Sequence, residues 1–256
     1  MTMTKMHKEN SHEGNKNQKQ PTLSIRKIGI VARDYNENKD FKNSLPKVLQ
    51  LLDKKGCDAV LFSLWSLPPR YDPRGVFKNL RGIKSVFVEE FEKGNPQATE
   101  FVVYYRTPSD WKEYRLKQKF STLTGKKKAD IHQFVEEEMP KRVLGNCCVL
   151  LCGESNGVMY KRDDEKIHDV FKLRKAIPKA VSIILNPCHD YMRRFEMKLK
   201  REFLSKNNRW VISVWNKGKG RESKEPWTIY HNGKKQDIEV HDFDDDTVYV
   251  GILKVH

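Results

Sequence analysis

The sequence predicts an α/β domain whose sheets contain parallel strands. Two strand–helix–strand runs carry this expectation, one over residues 25–65 and one over residues 147–215. A helix in the crossover places the flanking strands parallel in one sheet. The third observation is apolar content: 38% of the 256 residues are hydrophobic, enough for a sizeable core.

In chain order, residues 1–24 are rich in Lys, Asn, Gln and His and are expected to be a disordered tail. One domain is expected over residues 25–256, with no linker to divide it. Ile28, Ile30 and Val31 form a buried strand. Phe41, Leu45, Val48, Leu49 and Leu52 recur at three and four residues, the spacing of one helix face. Asp40 is placed to cap that helix, Pro46 belongs in its first turn, and Gly56 suits its end. Residues 59–65 form a second apolar strand, stopped at Pro68 and Pro69. Residues 85–91 and 101–105 read as half-exposed strands joined by the turn Gly94-Asn95-Pro96.

The second run opens with the apolar strand 147–152 and helical spacing from Asp164 to Ala176. Residues 181–185 form another buried strand. A helix is expected from Tyr191 to Lys206, with Met192, Phe195, Leu199 and Phe203 on its apolar face. Residues 210–215 are a further strand. Asn232-Gly233 after residues 227–231 marks a hairpin, and residues 247–253 close the chain.

Composition narrows the function classes. No apolar run reaches the ~18 residues of a membrane span, and no apolar stretch follows the first charges as in a secretory signal. Cys57, Cys147, Cys148, Cys152 and Cys188 are an odd set, which argues against a disulfide framework and for a reducing cytoplasm. Their spacing matches no zinc finger, and His241 to Asp246 lacks the spacing of an EF-hand loop, so neither metal nor cofactor is expected. The net charge is +15, from 49 Lys and Arg against 34 Asp and Glu. Residues 171–235 hold 17 basic and 5 acidic residues, a local +12. Arg193, Arg194, Lys198, Lys200 and Arg201 lie off the apolar face of the 191–206 helix. That face is a candidate surface for nucleic acid, with core packing of Trp210, Trp215 and Trp227 as the competing reading.

The segment that bears chemistry is 142–156. An apolar strand ends abruptly in Cys152-Gly153-Glu154. In open α/β sheets the carboxyl ends of strands are where sites form. A Cys followed at once by Gly is exposed on a tight turn and is a candidate nucleophile wherever its surroundings make it a thiolate. Cys188-His189 stands at the end of the next strand. Adjacent side chains diverge, so these two read as pocket lining beside Cys152.

At this point the chain resembles the carbon–nitrogen hydrolase (nitrilase) superfamily. The residues that carry the resemblance are Cys152-Gly153-Glu154, the strand ending in Asn186-Pro187, the strand 210–216 ending in Asn216, and the closing hairpin at Asn232-Gly233. The opening strand–helix–strand is also similar, so the resemblance covers about residues 25–256. It implies a four-layer α/β/β/α sandwich and hydrolysis of an amide or nitrile through a Cys thioester. It also implies association of copies. The family's catalytic set is Glu, Lys and Cys. Carried over, the nucleophile is Cys152. The oxyanion-stabilising lysine is Lys117, with Lys119 second. The family's base falls at residue 64, which here is Leu64. Glu154, the nearest acid to Cys152, is the candidate catalytic stand-in for that base, with the family's structural acid as its competing role. Asn186, Cys188, His189 and Lys119 are expected to line the substrate pocket. The alternative implied by the missing base is a degenerate member that binds an anionic partner through the basic face.

Overall fold

The computed structural model describes residues 19–38, 41–68, 71–91, 99–189, 195–217 and 225–255. Most of the expected tail, Asp40, the Gly94-Asn95-Pro96 turn, Arg193 and Arg194 lie outside them.

The first half of the chain supplies β1 (Lys27–Arg33), α1 (Leu45–Lys54), β2 (Ala59–Phe62), α2 (Arg74–Phe77), β3 (Ser85–Glu90), β4 (Glu100–Arg106) and β5 (Trp111–Leu116). The second supplies α3 (Lys128–Gln133), a π-helical turn at Phe134–Glu138, α4 (Met139–Arg142), β6 (Val143–Leu144), β7 (Cys147–Val149), the hairpin β8 (Met159–Lys161) and β9 (Lys166–His168), and α5 (Leu173–Ala176). It continues with β10 (Ile183–Pro187), α6 (Phe195–Ser205), β11 (Trp210–Val214), β12 (Trp227–His231), β13 (Lys234–Gln236), β14 (Glu239–His241) and β15 (Val248–Lys254).

These strands form two large sheets. One runs β14-β15-β1-β2-β3-β4-β5 and the other β13-β12-β11-β10-β7-β6. β1, β2 and β3 are parallel, as are β7, β10 and β11, so each sheet has a parallel centre from one strand–helix–strand run. Alternate residues then sort into layers. Ile28, Ile30, Leu61 and Phe87 of the first sheet meet Val149, Leu185, Ile212 and Val214 of the second in a shared core. The outer face of the first sheet takes Leu45, Val48, Leu49 and Leu52 of α1. The outer face of the second takes Ile131, Phe134, Met139 and Leu204. The expected four-layer α/β/β/α sandwich is the fold observed.

The helix over residues 45–54 forms as its spacing predicts. Pro46 sits in the first turn, and Gly56 follows the end at φ 73°. Its four core side chains are 0–1% exposed. At about 1.5–3 kcal/mol each, they hold the helix to the sheet more strongly than propensity does.

Three expectations are corrected. β3 and β4 are sandwiched between layers and largely buried on both faces, not half-exposed. The Asp164–Ala176 region holds β9, the second strand of the β8–β9 hairpin, and only one helical turn, α5. On α6 the buried positions are Met197, Lys200, Arg201, Leu204 and Ser205, while Phe195 is 64% exposed. The helix is therefore turned from the face that its apolar residues suggested. Lys200 donates to Asn156 Oδ1 at 2.7 Å, and the Arg201 guanidinium lies 5.7 Å from the Trp215 ring centroid. Cation–π and hydrogen-bond partners outweigh the apolar pattern here. Two of the five residues of the expected basic face are thus interior, and only Lys198 is exposed among those described. Trp215 and Trp227 are buried in the core.

Candidate active site

The carboxyl ends of the parallel strands in both sheets meet at one edge. After β7 the chain runs through buried Leu150 and Leu151 and turns at Cys152, whose φ of 40° is left-handed. A non-glycine residue there is uncommon and stores strain. Gly153 allows the turn: a Cβ on it would lie 1.8 Å from the Ser121 carbonyl oxygen. Glu154 fastens the turn from inside. One carboxylate oxygen accepts the Leu151 N–H at 2.9 Å; the other accepts the Lys119 N–H at 2.8 Å and Arg142 Nη2 at 2.7 Å. Glu154 and Arg142 are both fully buried, and burial pushes the Glu154 carboxyl up against the pull of Arg142.

Asn186, at the end of β10, donates to Leu150 O at 2.7 Å and Cys152 O at 3.1 Å, and its Oδ1 accepts the Ser213 hydroxyl at 3.0 Å. Asn216, beyond β11, works likewise across the sheets. It donates to Leu64 O at 2.7 Å and accepts the Ser63 hydroxyl at 2.6 Å. Both asparagines are 1% exposed, and both anchor the backbone beneath the site.

Cys152 is half-buried, unlike the other four cysteines, which are buried. The Cys152 thiol is brought down to about 4. The hydrogen bond from the Cys188 side chain is the strongest cause; burial opposes it, and the His189 ring, its charge and its backbone N–H add to the lowering. His189 is raised to about 9. Burial works against its charge, and hydrogen bonds to Cys152 and Glu89 overcome it. Both shifts run in the direction that favours a thiolate beside an imidazolium. Burial instead pushes Cys57 and Cys148 up to about 12.

Glu89 backs the histidine. Its Oε2 is 3.1 Å from His189 Nε2, which leaves Nδ1 for the sulfur, and the same oxygen accepts the Trp65 N–H at 2.8 Å. Glu89 is 3% exposed, at the end of β3. Trp65 holds a left-handed φ of 60°, aims its amide at Glu89 and tilts its ring over His189 at 4.5 Å.

Of the residues expected at the site, Cys152, Cys188, His189 and Asn186 come together. The lysines do not join them. Lys117 is 59% exposed at its side chain and pairs with Glu100 at 3.2 Å. Lys119 pairs with Glu138 at 3.3 Å and lines a separate cavity of about 290 Å³ with Phe120, Asp130 and Glu137. Neither forms a hydrogen bond with Cys152, because neighbouring carboxylates capture both ammonium groups. Both carboxylate oxygens of Glu154 are engaged in holding the turn. Leu64, where an acid was missed, is fully buried in the shared core.

Glu89 and Trp65 were not expected here. The readable signal was a Glu pair closing the otherwise apolar strand 85–90 at its carboxyl end. Among the described residues, no three His, Cys, Asp or Glu side chains converge as metal ligands.

No family model and no curated protein matches the chain. Solved structures are similar to it. A mutant of the amidase from Nesterenkonia sp. AN1, with the acetamide moiety of fluoroacetamide added covalently at its active site cysteine, is 11% identical. It aligns over 93% of this chain and 94% of its own, with a TM-score of 0.48. The likeness is one of layout. The C. elegans NitFhit protein aligns at 10% identity and a TM-score of 0.49, over 91% of this chain and 62% of its own. A glutamine-dependent NAD(+) synthetase from Cytophaga hutchinsonii aligns at 11% and 0.49, over 91% of this chain and 43% of its own. The chain thus spans less than two thirds of both longer proteins. At these identities no residue's role carries across. No described helix is long and apolar enough to cross a membrane.

Proposed function

We propose that the protein is a cysteine hydrolase of non-peptide C–N bonds, working through a Cys152–His189–Glu89 triad. The observation that carries this reading is the thiol lowered to about 4 beside an imidazole raised to about 9 and backed by a buried carboxylate. Nucleophile, base and orienting group then stand in hydrogen-bonded series.

In the proposed reaction the Cys152 sulfur attacks the carbonyl carbon of an amide, and the carbonyl π pair moves to oxygen. The C–N bond then breaks as the imidazolium of His189 gives its proton to the leaving amine, leaving a thioester. Water attacks the thioester carbon and gives a proton back to His189. The C–S bond breaks, and the carboxylic acid leaves with Cys152 again a thiolate beside the imidazolium. A nitrile would enter by the same attack, take the His189 proton on nitrogen to give a thioimidate, and reach the thioester by adding water and losing ammonia. Glu89 holds the ring so that one nitrogen always faces sulfur, and the buried carboxylate offsets the imidazolium charge. Trp65 and Asn216 hold the loops that bring the two sheets' contributions together.

The test is labelling with chloroacetamide followed by peptide mass analysis, alongside ammonia release from a panel of primary amides. Label on Cys152 and turnover lost in both Cys152→Ala and His189→Asn are expected. Amide turnover that survives Cys152→Ala would overturn the reading.

A further inference from the structure

A cleft of about 600 Å³ opens beside the triad, with Arg33, Tyr35, Phe41, Lys42, Trp65 and Phe91 in its walls. Trp65 is the shared partition: its ring tilts over His189, and its carbonyl accepts Arg33 Nη2. None of the described lining residues is Asp or Glu.

Arg33 ends β1 and is 6% exposed. Its Nη1 donates to Asn38 O at 2.7 Å, and Nη2 donates to Trp65 O. Its Nε–H is buried without a partner, and it forms no ion pair with a described carboxylate. The Tyr35 and Phe41 rings lie 5.3 and 5.9 Å from the guanidinium carbon. Two carbonyls and two rings hold the group but do not neutralise it. A buried guanidinium without a counter-ion is costly, and burial does lower its hold on the proton. The charge is kept in a cleft wall, beside an exposed Lys42 and four aromatic rings. A planar cation with an unused donor and no counter-ion matches a carboxylate.

We propose that this cleft is the acid-recognising part of the substrate site: Arg33, with Lys42 at the rim, receives a carboxylate carried by the amide, and the aromatic walls take its apolar body. The proposal rests on the triad reading for the reaction, though not for the binding. The substrate class is an amide bearing a free carboxylate away from the bond that breaks.

The test pairs two probes on the full chain, N-chloroacetyl-phenylalanine and its primary amide. They share electrophile and body and differ in charge. Expected is a second-order labelling rate at Cys152 about tenfold higher for the acid. The ratio should fall to about one in Arg33→Gln and to an intermediate value in Arg33→Lys, which keeps the charge without the planar fork. Using a ratio cancels any general loss of reactivity. If Arg33→Gln does not fold, Arg33→Lys and Lys42→Gln must lower the ratio instead. A ratio of one in the wild type, with both probes on Cys152, would sink the cleft proposal and leave the triad standing. So would a preference that persists in Arg33→Gln.

If neither probe labels Cys152, the triad reading fails, and calorimetry on Cys152→Ala decides the cleft. Millimolar binding of phenylacetate, lost on adding Arg33→Gln, supports it. No binding of phenylacetate, or phenyl phosphate bound tenfold more tightly, overturns the assignment to a carboxylate.

Discussion

Replacing His189 by Asn should change the shape of the Cys152 pH–reactivity profile, because the imidazolium helps hold the thiol near 4. At pH 6 a thiol of that acidity is about 99% thiolate, whereas an ordinary cysteine is about 0.3% thiolate. Fraction alone would give the wild type roughly a 300-fold advantage. Thiolate nucleophilicity also falls with acidity, with a Brønsted slope of about 0.4–0.5. Across some 4.5 units that removes about 100-fold, so the net advantage at pH 6 is only about threefold. The profile is the sharper measure. Wild-type alkylation by iodoacetamide should half-rise near pH 4 and stay flat from pH 5 to 8. In His189→Asn the Cys188 hydrogen bond remains while the imidazolium is lost, so the half-rise should move up from pH 4 and the rate should climb tenfold per pH unit below it. Mass analysis assigns the label, and the four buried cysteines should stay silent at pH 6. A wild-type rate that rises tenfold per unit from pH 5 to 8 would mean a neutral thiol and would refute the reasoning.

Three further outcomes follow from the same geometry. Arg142→Met removes the cation that pairs with the fully buried Glu154, whose carboxyl must then be protonated or left unpaired, and should cost about 3–5 kcal/mol in urea unfolding. Gly153→Ala places a Cβ against the Ser121 carbonyl; the turn must shift, so labelling of Cys152 at pH 6 should be lost even where circular dichroism shows a folded chain. Cys152 is lowered on folding, so its contribution is lost as pH falls toward 4; His189 is raised, so its contribution is complete below about 6.5 and is lost as pH rises toward 9. The two changes cancel between about 6.5 and 9. The stability difference between wild type and the double variant Cys152→Ala/His189→Asn should therefore be level there and shrink by about 3 kcal/mol between pH 6.5 and 4.

The parallel strands, α1 and the Cys152 turn were legible because their signals are local. Apolar runs, the 3.6-residue spacing and a Gly after the Cys all act within one or two turns of chain. The α6 face was misjudged because Lys200 and Arg201 find interior partners in Asn156 and Trp215, and periodicity cannot see these. His189 was visible as a residue but not as a partner. Adjacent Cys188 and His189 do not pair with each other; both act on Cys152, far away in sequence. Ile183 pairs with Cys147 in the parallel register of β10 and β7. The same offset carried beyond the strand ends sets Cys188 opposite Cys152, with His189 next to it. Register, which no local pattern fixes, joins the two loops.

Register also explains the acid. Ala59 pairs with Ser85 and Leu61 with Phe87, so the β2–β3 offset sets Glu89 opposite Ser63. The resemblance placed the base at residue 64, and the carboxylate at this edge is one strand over, roughly 4.8 Å to the side. From β3 the carboxylate meets the imidazole, and the imidazole meets the sulfur. Leu64 can then be an apolar core residue. Trp65, the residue that follows, takes a left-handed conformation, gives its amide to Glu89 and places its ring over His189. A bulky side chain does not adopt that backbone freely. Trp65→Gly should keep the amide and remove the ring. It thereby separates the two tasks: the thiolate should persist at pH 6, and turnover should fall because His189 is no longer confined.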